Sequence, residues 1–227
     1  MTTKVPVAVA IDGPSGAGKS TIARVLAAQL GFVYVDTGAL YRTVGLAVLR
    51  RGVDPHDSAA VEPLLSELQV SLGYTEGGQR VFLNGEDVSG SIRTPEVSMA
   101  ASAVSALPPV RRFLFDLQRD TARRQNVIMD GRDIGTVVLP FADVKIFLTA
   151  SAEDRARRRF EELLAKGTEV TFDEVLRDMK ERDYNDSHRA AAPLRPAEDA
   201  VTVDTTGNTL EQSVELLKTL ITERLKG

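Results

Sequence analysis

The chain has 227 residues, a formal net charge of −4 at pH 7 and no cysteine, and 43% of its residues are hydrophobic. This composition suffices for the core of one domain, excludes disulfides, thiolate metal sites and a cysteine nucleophile, and argues against bulk nucleic-acid binding. Because no apolar run is long enough for a bilayer and the N-terminus lacks a signal-peptide pattern, we expect a cytoplasmic protein that binds neither membrane nor nucleic acid.

The N-terminal segment predicts a buried strand, a glycine-rich turn and a helix in direct succession. The strand covers 5–11, and the helix at 21–30 has one apolar face formed by Ile22, Val25, Leu26 and Leu30. Between them, residues 13–20 read GPSGAGKS and fit the pattern G-x-x-x-x-G-K-[ST]. Its glycines let successive backbone N–H groups point at one anion, and the helix N-terminus adds partial positive charge. The sequence therefore predicts a P-loop, with Lys19 on the β- and γ-phosphates of a nucleoside triphosphate and the Ser20 hydroxyl on Mg²⁺.

The next segments alternate strands and helices, which is typical of a parallel sheet with helices on both faces. They are a strand at 32–36, a helix at about 39–51 and a short helix at 59–68. Residues 69–90 break this rhythm, because apolar alternation and two turns predict three short antiparallel strands. These strands lie at 69–74, 80–83 and 86–88, and the turns are Glu76-Gly77-Gly78 and Asn84-Gly85. We therefore expect a small antiparallel insert within an α/β protein.

The remaining chain returns to the α/β alternation. Strands are predicted at 126–130, 144–148 and 201–204. Helices are predicted from Thr94-Pro95, from Pro108 to 124, from Ser151 to 166, from the capping box at Thr171 to Tyr184, and at 209–226 with Leu210, Val214, Leu217, Leu220 and Ile221 inward. The pattern predicts a single domain whose P-loop core, at about 1–37, 121–154 and 196–227, carries two excursions, at 38–120 and 155–195.

A candidate site beyond the P-loop directly follows the second strand, at Asp36-Thr37-Gly38-Ala39-Leu40-Tyr41-Arg42. Ligands gather at the carboxyl ends of the strands in such a sheet, so Thr37 and the amides of the next helix can hold an anion, with Arg42 one turn further on. The spacing fits a helix cap with Arg42 on a solvated face equally well. The residues alone leave both interpretations open.

A second candidate site follows the buried strand at 126–130 and reads Asp130-Gly131-Arg132-Asp133-Ile134-Gly135-Thr136. An aspartate at a strand end of a P-loop protein often orders the Mg²⁺ shell, and Arg132 can reach a phosphate from there. A structural turn is the alternative, but so many charges at a strand end favour a site.

Arginines are frequent in the second excursion: Arg155, Arg157, Arg158, Arg159, Arg177, Arg182 and Arg189. Most such side chains are solvated or paired with neighbours, here Glu153, Glu161 and Glu162. We expect some of these arginines to fold over a transferring phosphoryl group as a lid.

Over its full length the chain resembles the bacterial cytidylate kinases. The resemblance rests on the segments GPSGAGKS, DTGALYR, NGEDVSGSIRTPEVS, DGRDIGTVV, VKIFLTAS and KERDYNDSHRAAAPLRPAEDA, of which the last three are much more specific than the P-loop. It implies an α/β P-loop kinase with a five-stranded parallel sheet, a monophosphate-binding region at 38–120 enlarged by the three-stranded insert, and a helical lid at 155–195. It further implies transfer of the γ-phosphoryl group of ATP to CMP or dCMP, in pyrimidine metabolism, with ATP and Mg²⁺ as cofactors. We expect a monomer, because the lid has to move freely.

The resemblance also implies a role for each matching residue. The ATP phosphates would be bound by Gly13, Pro14, Ser15, Gly16, Ala17, Gly18, Lys19, Ser20 and Thr21. The catalytic residues would be Lys19, Arg132, Arg157 and Arg159. The acceptor nucleotide would be bound by Asp36, Thr37, Gly38, Tyr41, Arg42, Ser102, Arg111, Asp130, Arg132, Asp133, Arg182, Asp186 and Arg189. In that set, Thr37, Arg42 and Arg132 would hold the monophosphate, Ser102, Arg111 and Asp133 would read the cytosine, Arg182 and Asp186 would contact the ribose, and Arg189 would face the monophosphate.

Two alternative functions are the nearest rival, which is also a kinase, and a protein of a different class. Another small-metabolite P-loop kinase would act on UMP, shikimate or dephospho-coenzyme A, but the insert and the Asp-Gly-Arg-Asp segment count against it. A GTPase-type switch needs an N-K-x-D motif, and the chain has no Asn-Lys pair. The sequence does not rank CMP against dCMP or UMP, and it does not single out the lid arginine that meets the γ-phosphate.

Overall fold

The computed structural model describes residues 5–75, 78–165 and 167–226. Glu76 and Gly77 of one predicted turn and Lys166 at a predicted helix end lie outside these residues. The chain forms two compact units. We call Tyr34–Gln125, with the first described residues, the insert-bearing unit, and we call Val7–Val33 together with the chain from Asn126 onward the P-loop unit.

The regular elements alternate along the chain as predicted. The strands are β1 (Ala8–Asp12), β2 (Val33–Asp36), β3 (Val70–Thr75), β4 (Gly78–Leu83), β5 (Glu86–Asp87), β6 (Val127–Gly131), β7 (Val144–Thr149) and β8 (Val201–Asp204). The α-helices are α1 (Lys19–Leu30), α2 (Thr37–Arg50), α3 (Ser58–Leu65), α4 (Pro95–Ser105), α5 (Pro108–Arg124), α6 (Ala152–Ala165), α7 (Phe172–His188) and α8 (Leu210–Arg224). A 3₁₀ turn at Ser91–Arg93 and a π-helical turn at Ile134–Val138 complete them.

The predicted five-stranded parallel sheet is confirmed, and its strand order is β2-β6-β1-β7-β8. The central strand β1 pairs in parallel with β6 and with β7. All five of its residues are buried, which is why it reads as a continuous apolar run with no alternation. Asp12, its last residue, lies opposite Gly131, the last residue of β6. The P-loop and the Asp-Gly-Arg-Asp segment therefore lie side by side at the carboxyl ends of β1 and β6.

The helices of the P-loop unit bury the faces that their periodicity predicts, with one exception. Ile22 and Leu26 of α1 are fully buried, as are Leu217 and Ile221 of α8. The predicted burial of Leu210 is wrong, because Leu210 is the first residue after the Thr209 cap and remains 43% exposed. The capping box at Thr171 and Glu174 opens α7 as predicted, and α7 then runs four residues past the predicted end at Tyr184.

The insert-bearing unit contains the predicted three-stranded antiparallel sheet, in the order β3-β4-β5. Its core packs α2, α4 and α5 around buried side chains that include Leu40, Val44, Val104 and Leu114. Thr94 caps α4 by accepting a hydrogen bond from the Val97 N–H, and Pro95 occupies the first turn, as its sequence predicts. In the part of the chain that the structure describes, every helix is too short or too polar to cross a bilayer.

Candidate active site

The P-loop of the P-loop unit depends on glycine at its turns. Gly13, Gly16 and Gly18 have positive φ values of 152°, 73° and 84°. A Cβ at Gly13 would lie 1.9 Å from the backbone oxygen of Leu148 in β7, so only glycine fits this close approach. Because left-handed Gly18 forms the N-cap, α1 begins at Lys19, two residues earlier than predicted, and Ser20 and Thr21 lie in its first turn.

Lys19 is buried under the loop that it belongs to. Its Nζ donates a 2.6 Å hydrogen bond to the carbonyl oxygen of Pro14. Burial, and next to it the positive charge of Arg132, lowers the pKa of Lys19 well below its ordinary value. A phosphate placed here would add to the negative charge of Asp130, Asp12 and Asp186 and would raise this pKa again.

Ser20 and Asp130 form the candidate magnesium site. The Ser20 hydroxyl donates a 2.8 Å hydrogen bond to Oδ2 of Asp130 at the end of β6. Mg²⁺ is usually held by one or two protein oxygens together with phosphate oxygens and water, and this hydroxyl–carboxylate pair suits it. Among the described residues, no group of three or more His, Cys, Asp or Glu side chains gathers to bind a metal without a nucleotide.

Arg132 and Asp133 each pair with a residue near the end of α7. Nε of Arg132 lies 2.7 Å from Oδ2 of Asp186, and Nη2 of Arg189 lies 3.2 Å from Oδ1 of Asp133. Burial raises the pKa of Asp186, but the charge and hydrogen bond of Arg132, together with the charges of Arg182 and Arg189, hold that pKa below its ordinary value. Each pair joins one of the two residues that directly follow β6 to a residue beyond the predicted end of α7 at Tyr184, either on α7 (Asp186) or at its C-cap (Arg189).

Asp12 is a buried carboxylate that the sequence analysis did not select. It accepts hydrogen bonds from the backbone N–H groups of Ile134 and Gly135, both at 2.7 Å. Burial raises the pKa of Asp12 to about 7 in spite of these two bonds. The only sequence signal for it is a charged residue at the end of an apolar strand, directly before Gly13.

The arginines of α6 and α7 take different positions. Arg155 is buried and donates to the carbonyl oxygens of Ala150 and Ser15, at 2.8 and 2.9 Å, and to Asp183 at 2.6 Å. Nη1 of Arg182 reaches the Ser15 hydroxyl at 3.4 Å. The sequence did not single out Arg155, because only its tertiary position distinguishes it from the other arginines of the run.

The two lid arginines predicted to be catalytic both lie on α6. Arg157 is exposed, with its guanidinium carbon 5.8 Å from the ring centroid of Phe172. Arg159 pairs with Glu162 at 3.1 Å. These contacts lie within α6 and α7, so the described geometry does not bring Arg157 or Arg159 to the P-loop.

In the insert-bearing unit, Asp36 gathers two arginines at the start of α2. As N-cap it accepts a 2.9 Å hydrogen bond from the Ala39 N–H, while its other oxygen lies 2.9 Å from Arg42 and 3.3 Å from Arg93. The helix cap of the second interpretation is confirmed at Asp36, but its solvated face is wrong, because only 17% of the Arg42 side chain is exposed. The anion site of the first interpretation stays a prediction. Arg93, in the 3₁₀ turn, was not predicted.

Gln79 of β4 fixes the backbone at this point. Its side-chain amide accepts from the Asp36 N–H at 2.8 Å and donates to the Asp36 carbonyl oxygen at 3.3 Å. Thr37 follows and is buried. Gly38 leaves room for the guanidinium, because a Cβ there would lie 3.3 Å from Nη1 of Arg42. Gln79 carries no motif by which sequence reasoning could have found it.

The predicted base-reading residues of this unit lie on α4 and α5. The Arg111 guanidinium lies 5.7 Å from the ring centroid of Tyr41 and donates to the Ser105 carbonyl oxygen at 3.1 Å. The Ser102 carbonyl oxygen accepts from the Ser105 hydroxyl at 2.8 Å, so Ser102 lies one helical turn before the residue that orients Arg111. Tyr41, Ser102 and Arg111 are thus linked through α2, α4 and α5.

Comparison with known proteins identifies relatives that span the whole chain. Residues 9–223 match the family model described as Cytidylate kinase. The cytidylate kinase of Caldicellulosiruptor bescii is 50% identical over 96% of this chain and 97% of its own length. That of Carboxydothermus hydrogenoformans is 52% identical over 94% of this chain and 96% of its own length. A solved structure of an uncharacterized protein from Eubacterium ventriosum, 11% identical, covers 96% of this chain and 98% of that protein with a TM-score of 0.50, a likeness in fold alone.

Proposed function

The chain belongs to the cytidylate kinase family, and from this premise we propose that it transfers the γ-phosphoryl group of ATP to CMP or dCMP and releases ADP. It is accordingly an ATP-dependent nucleoside monophosphate kinase. The observation that carries the proposal is the hydrogen bond between Ser20 and Asp130, which joins the P-loop to the Asp-Gly-Arg-Asp segment. We also propose that it works as a monomer in the cytoplasm.

We assign the donor nucleotide to residues 13–21. Lys19 would contact the β- and γ-phosphates, and its burial strengthens that attraction because charges interact more strongly where water is excluded. Ser20 would hold Mg²⁺ with the phosphate oxygens and water, and Asp130 would orient that shell. The cation would neutralise charge on the phosphates when bound.

We assign the acceptor nucleotide to two groups of side chains. In the insert-bearing unit, Thr37 and Arg42 would hold the monophosphate, Ser102 and Arg111 would read the base, and Asp36, Gly38 and Tyr41 would complete the set. In the P-loop unit, Arg132 and Arg189 would face the monophosphate, Asp133 would read the base, and Arg182 and Asp186 would contact the ribose. Cytosine offers an N4 amino donor beside the N3 and O2 acceptors, which suits a carboxylate and a guanidinium.

The chemistry requires alignment and charge neutralisation more than proton transfer. A phosphate monoester with a second pKa of about 6 is largely ionised at pH 7, so the acceptor needs no general base. Lys19 and Arg132 would spread positive charge over the transferring group. We retain Arg157 and Arg159 as lid residues that would approach it on closure, which would also exclude water and suppress ATP hydrolysis.

A coupled ADP-release assay tests the proposal, with ATP, Mg²⁺ and CMP, dCMP, UMP, AMP, GMP or shikimate as acceptor, beside a reaction without acceptor. Turnover confined to CMP and dCMP is the expected result. Preference for another acceptor, or hydrolysis that needs none, would contradict it and would remove the roles given to Ser102, Arg111 and Asp133.

A further inference from the structure

Asp12 is a buried carboxylate for which the phosphoryl transfer described above has no use. It is 4% exposed at the carboxyl end of the central strand β1, and both of its oxygens accept backbone N–H groups from one short segment. Those N–H groups belong to Ile134 and Gly135, the first two residues of the π-helical turn. A buried carboxylate whose two oxygens both accept backbone N–H groups fixes the position of the segment that carries those groups.

The segment fixed in this way is very short. Strand β6 holds the chain up to Gly131, whose partner in the sheet is Asp12 itself. Asp12 then holds it again from Ile134. Only Arg132 and Asp133 lie between the two anchors, so their backbone has little freedom to shift.

Gly135 lets the segment lie directly on Asp12. A Cβ at Gly135 would be 3.4 Å from Oδ2 of Asp12 and 3.3 Å from the Cγ and Cδ methylenes of Lys145. Lys145 is itself fixed, since its Nζ bonds Asp199 at 2.7 Å and the Pro140 carbonyl oxygen at 2.5 Å. The segment at Gly135 thus packs against the Asp12 carboxylate and the fixed Lys145 side chain.

The positions of the Arg132 and Asp133 side chains depend on this packing. Arg132 pairs with Asp186 at 2.7 Å and Asp133 with Arg189 at 3.2 Å, so a displaced backbone would misdirect both pairs at once. A displacement of about 1 Å in a positioning element can cost about a hundredfold in rate.

We propose that Asp12 is a positioning residue for acceptor recognition, which it serves by holding the Ile134 and Gly135 N–H groups and thereby setting where Arg132 and Asp133 present their side chains. This inference rests on the proposed function. The ionised carboxylate is needed for it, because an asparagine of the same shape offers one acceptor oxygen and turns its NH₂ group toward the second N–H. Burial raises the pKa of Asp12 to about 7, so the kinetic test is run at pH 8, where the carboxylate is ionised.

The test compares Asp12→Asn with the wild-type enzyme in KM for CMP, KM for ATP and kcat. We expect the KM for CMP to rise between about tenfold and a hundredfold while the KM for ATP changes by less than about threefold. Asp143→Asn is the matched control, because Asp143 accepts the Ala8 N–H at the opposite end of β1, at 2.8 Å. It should leave both KM values near wild type.

Gly135→Ala provides a second variant, in case Asp12→Asn does not fold. Its added methyl group would meet the Lys145 stem at 3.3 Å, closer than ordinary van der Waals contact, and would shift the same segment slightly without changing any charge, so it should also raise the KM for CMP selectively. An equal rise of both KM values, or no change in either, would overturn the inference while wild-type turnover of CMP still supported the proposed function. Absence of CMP turnover in the wild-type enzyme would overturn both.

Discussion

Ser20 and Asp130 are joined by a 2.8 Å hydrogen bond although 110 positions of sequence separate them. The bond links the first turn of α1 to the end of β6, which are the two places where a P-loop protein keeps its magnesium shell. It fixes the hydroxyl and the carboxylate relative to each other.

Asp130→Asn should therefore weaken Mg²⁺ binding more than it lowers the stability of the fold. We expect the Mg²⁺ concentration needed for half-maximal turnover to rise about tenfold or more, because an amide binds Mg²⁺ and orients its water more weakly than a carboxylate does. A titration of turnover against Mg²⁺ measures this. Asp154→Asn is the control, because Asp154 is a partly buried aspartate in the first turn of α6 that accepts the Gly207 N–H and has no proposed role with the metal. An unchanged magnesium requirement in Asp130→Asn would contradict the role given to Asp130.

Lys19→Ala should separate activity from stability. We expect turnover to fall by about 10³-fold or more, because the main cation of the P-loop is lost. The melting temperature should stay level or rise, because the substitution removes a buried ammonium group. Burial already disfavours its charged form, as the lowered pKa of Lys19 shows. The measurement is turnover and thermal unfolding of Lys19→Ala. Lys218→Ala is the control, because Lys218 lies on α8. A folded Lys19→Ala protein with near-normal turnover would refute the assignment.

Asp12 should impose a pH dependence on stability. Its pKa is raised from 3.8 to about 7 in the folded protein, so the folded state holds this proton more firmly than the unfolded chain does. The contribution of Asp12 to stability is therefore fully present below about pH 4 and is lost as the pH rises to about 7, with Asp133 reinforcing and Lys19 opposing the shift.

Urea unfolding at pH 4.5 and pH 8 measures this dependence. Relative to the wild-type protein, Asp12→Asn should gain about 2–4 kcal/mol between the two pH values, because its side chain does not ionise. Asp143→Asn keeps Asp12 and should follow the wild-type curve. A difference between Asp12→Asn and wild type that is the same at both pH values would show that Asp12 does not titrate in this range.

Asp36→Asn should affect the acceptor and leave the helix intact. Asparagine caps a helix as well as aspartate does, so the free energy of unfolding should change by less than about 1 kcal/mol. The pairing with Arg42 and Arg93 is lost, and the KM for CMP should rise about tenfold while the KM for ATP holds. Asp57→Asn is the matched control, since Asp57 caps α3 through its side chain in the same way. Equal kinetic effects of both variants would count against a role for Asp36 in holding the acceptor arginines.

The sequence predicts what local chemistry determines. Alternation identified the three-stranded insert, and the P-loop was visible from its own spacing. The capping residues Thr94 and Thr171 marked the starts of two helices, because a cap acts within one turn. The end of α7 was missed, since its last residues are polar and no glycine marks a stop.

The contacts that assemble the candidate site are not local. Asp12 meets Ile134 across 122 positions, and Arg155 meets Ser15 across 140. A single sequence read on its own carries no signal for such distant pairs. Arg155 could therefore not be told from the other arginines of α6. The resemblance supplied the residues that we propose for the acceptor site. The hydrogen bonds and ion pairs that orient them, through Asp12, Gln79 and Asp36, were visible only in the fold.

Gln79 has a consequence for solubility as well as for the site. β2 is an outermost strand of the five-stranded sheet, and an edge strand offers unpaired N–H and C=O groups to any passing chain. At Asp36 the side-chain amide of Gln79 occupies both groups, in the manner of one residue of a further strand. The hairpin that enlarges this kinase thus also blocks one point at which copies of the protein could join edge to edge and aggregate.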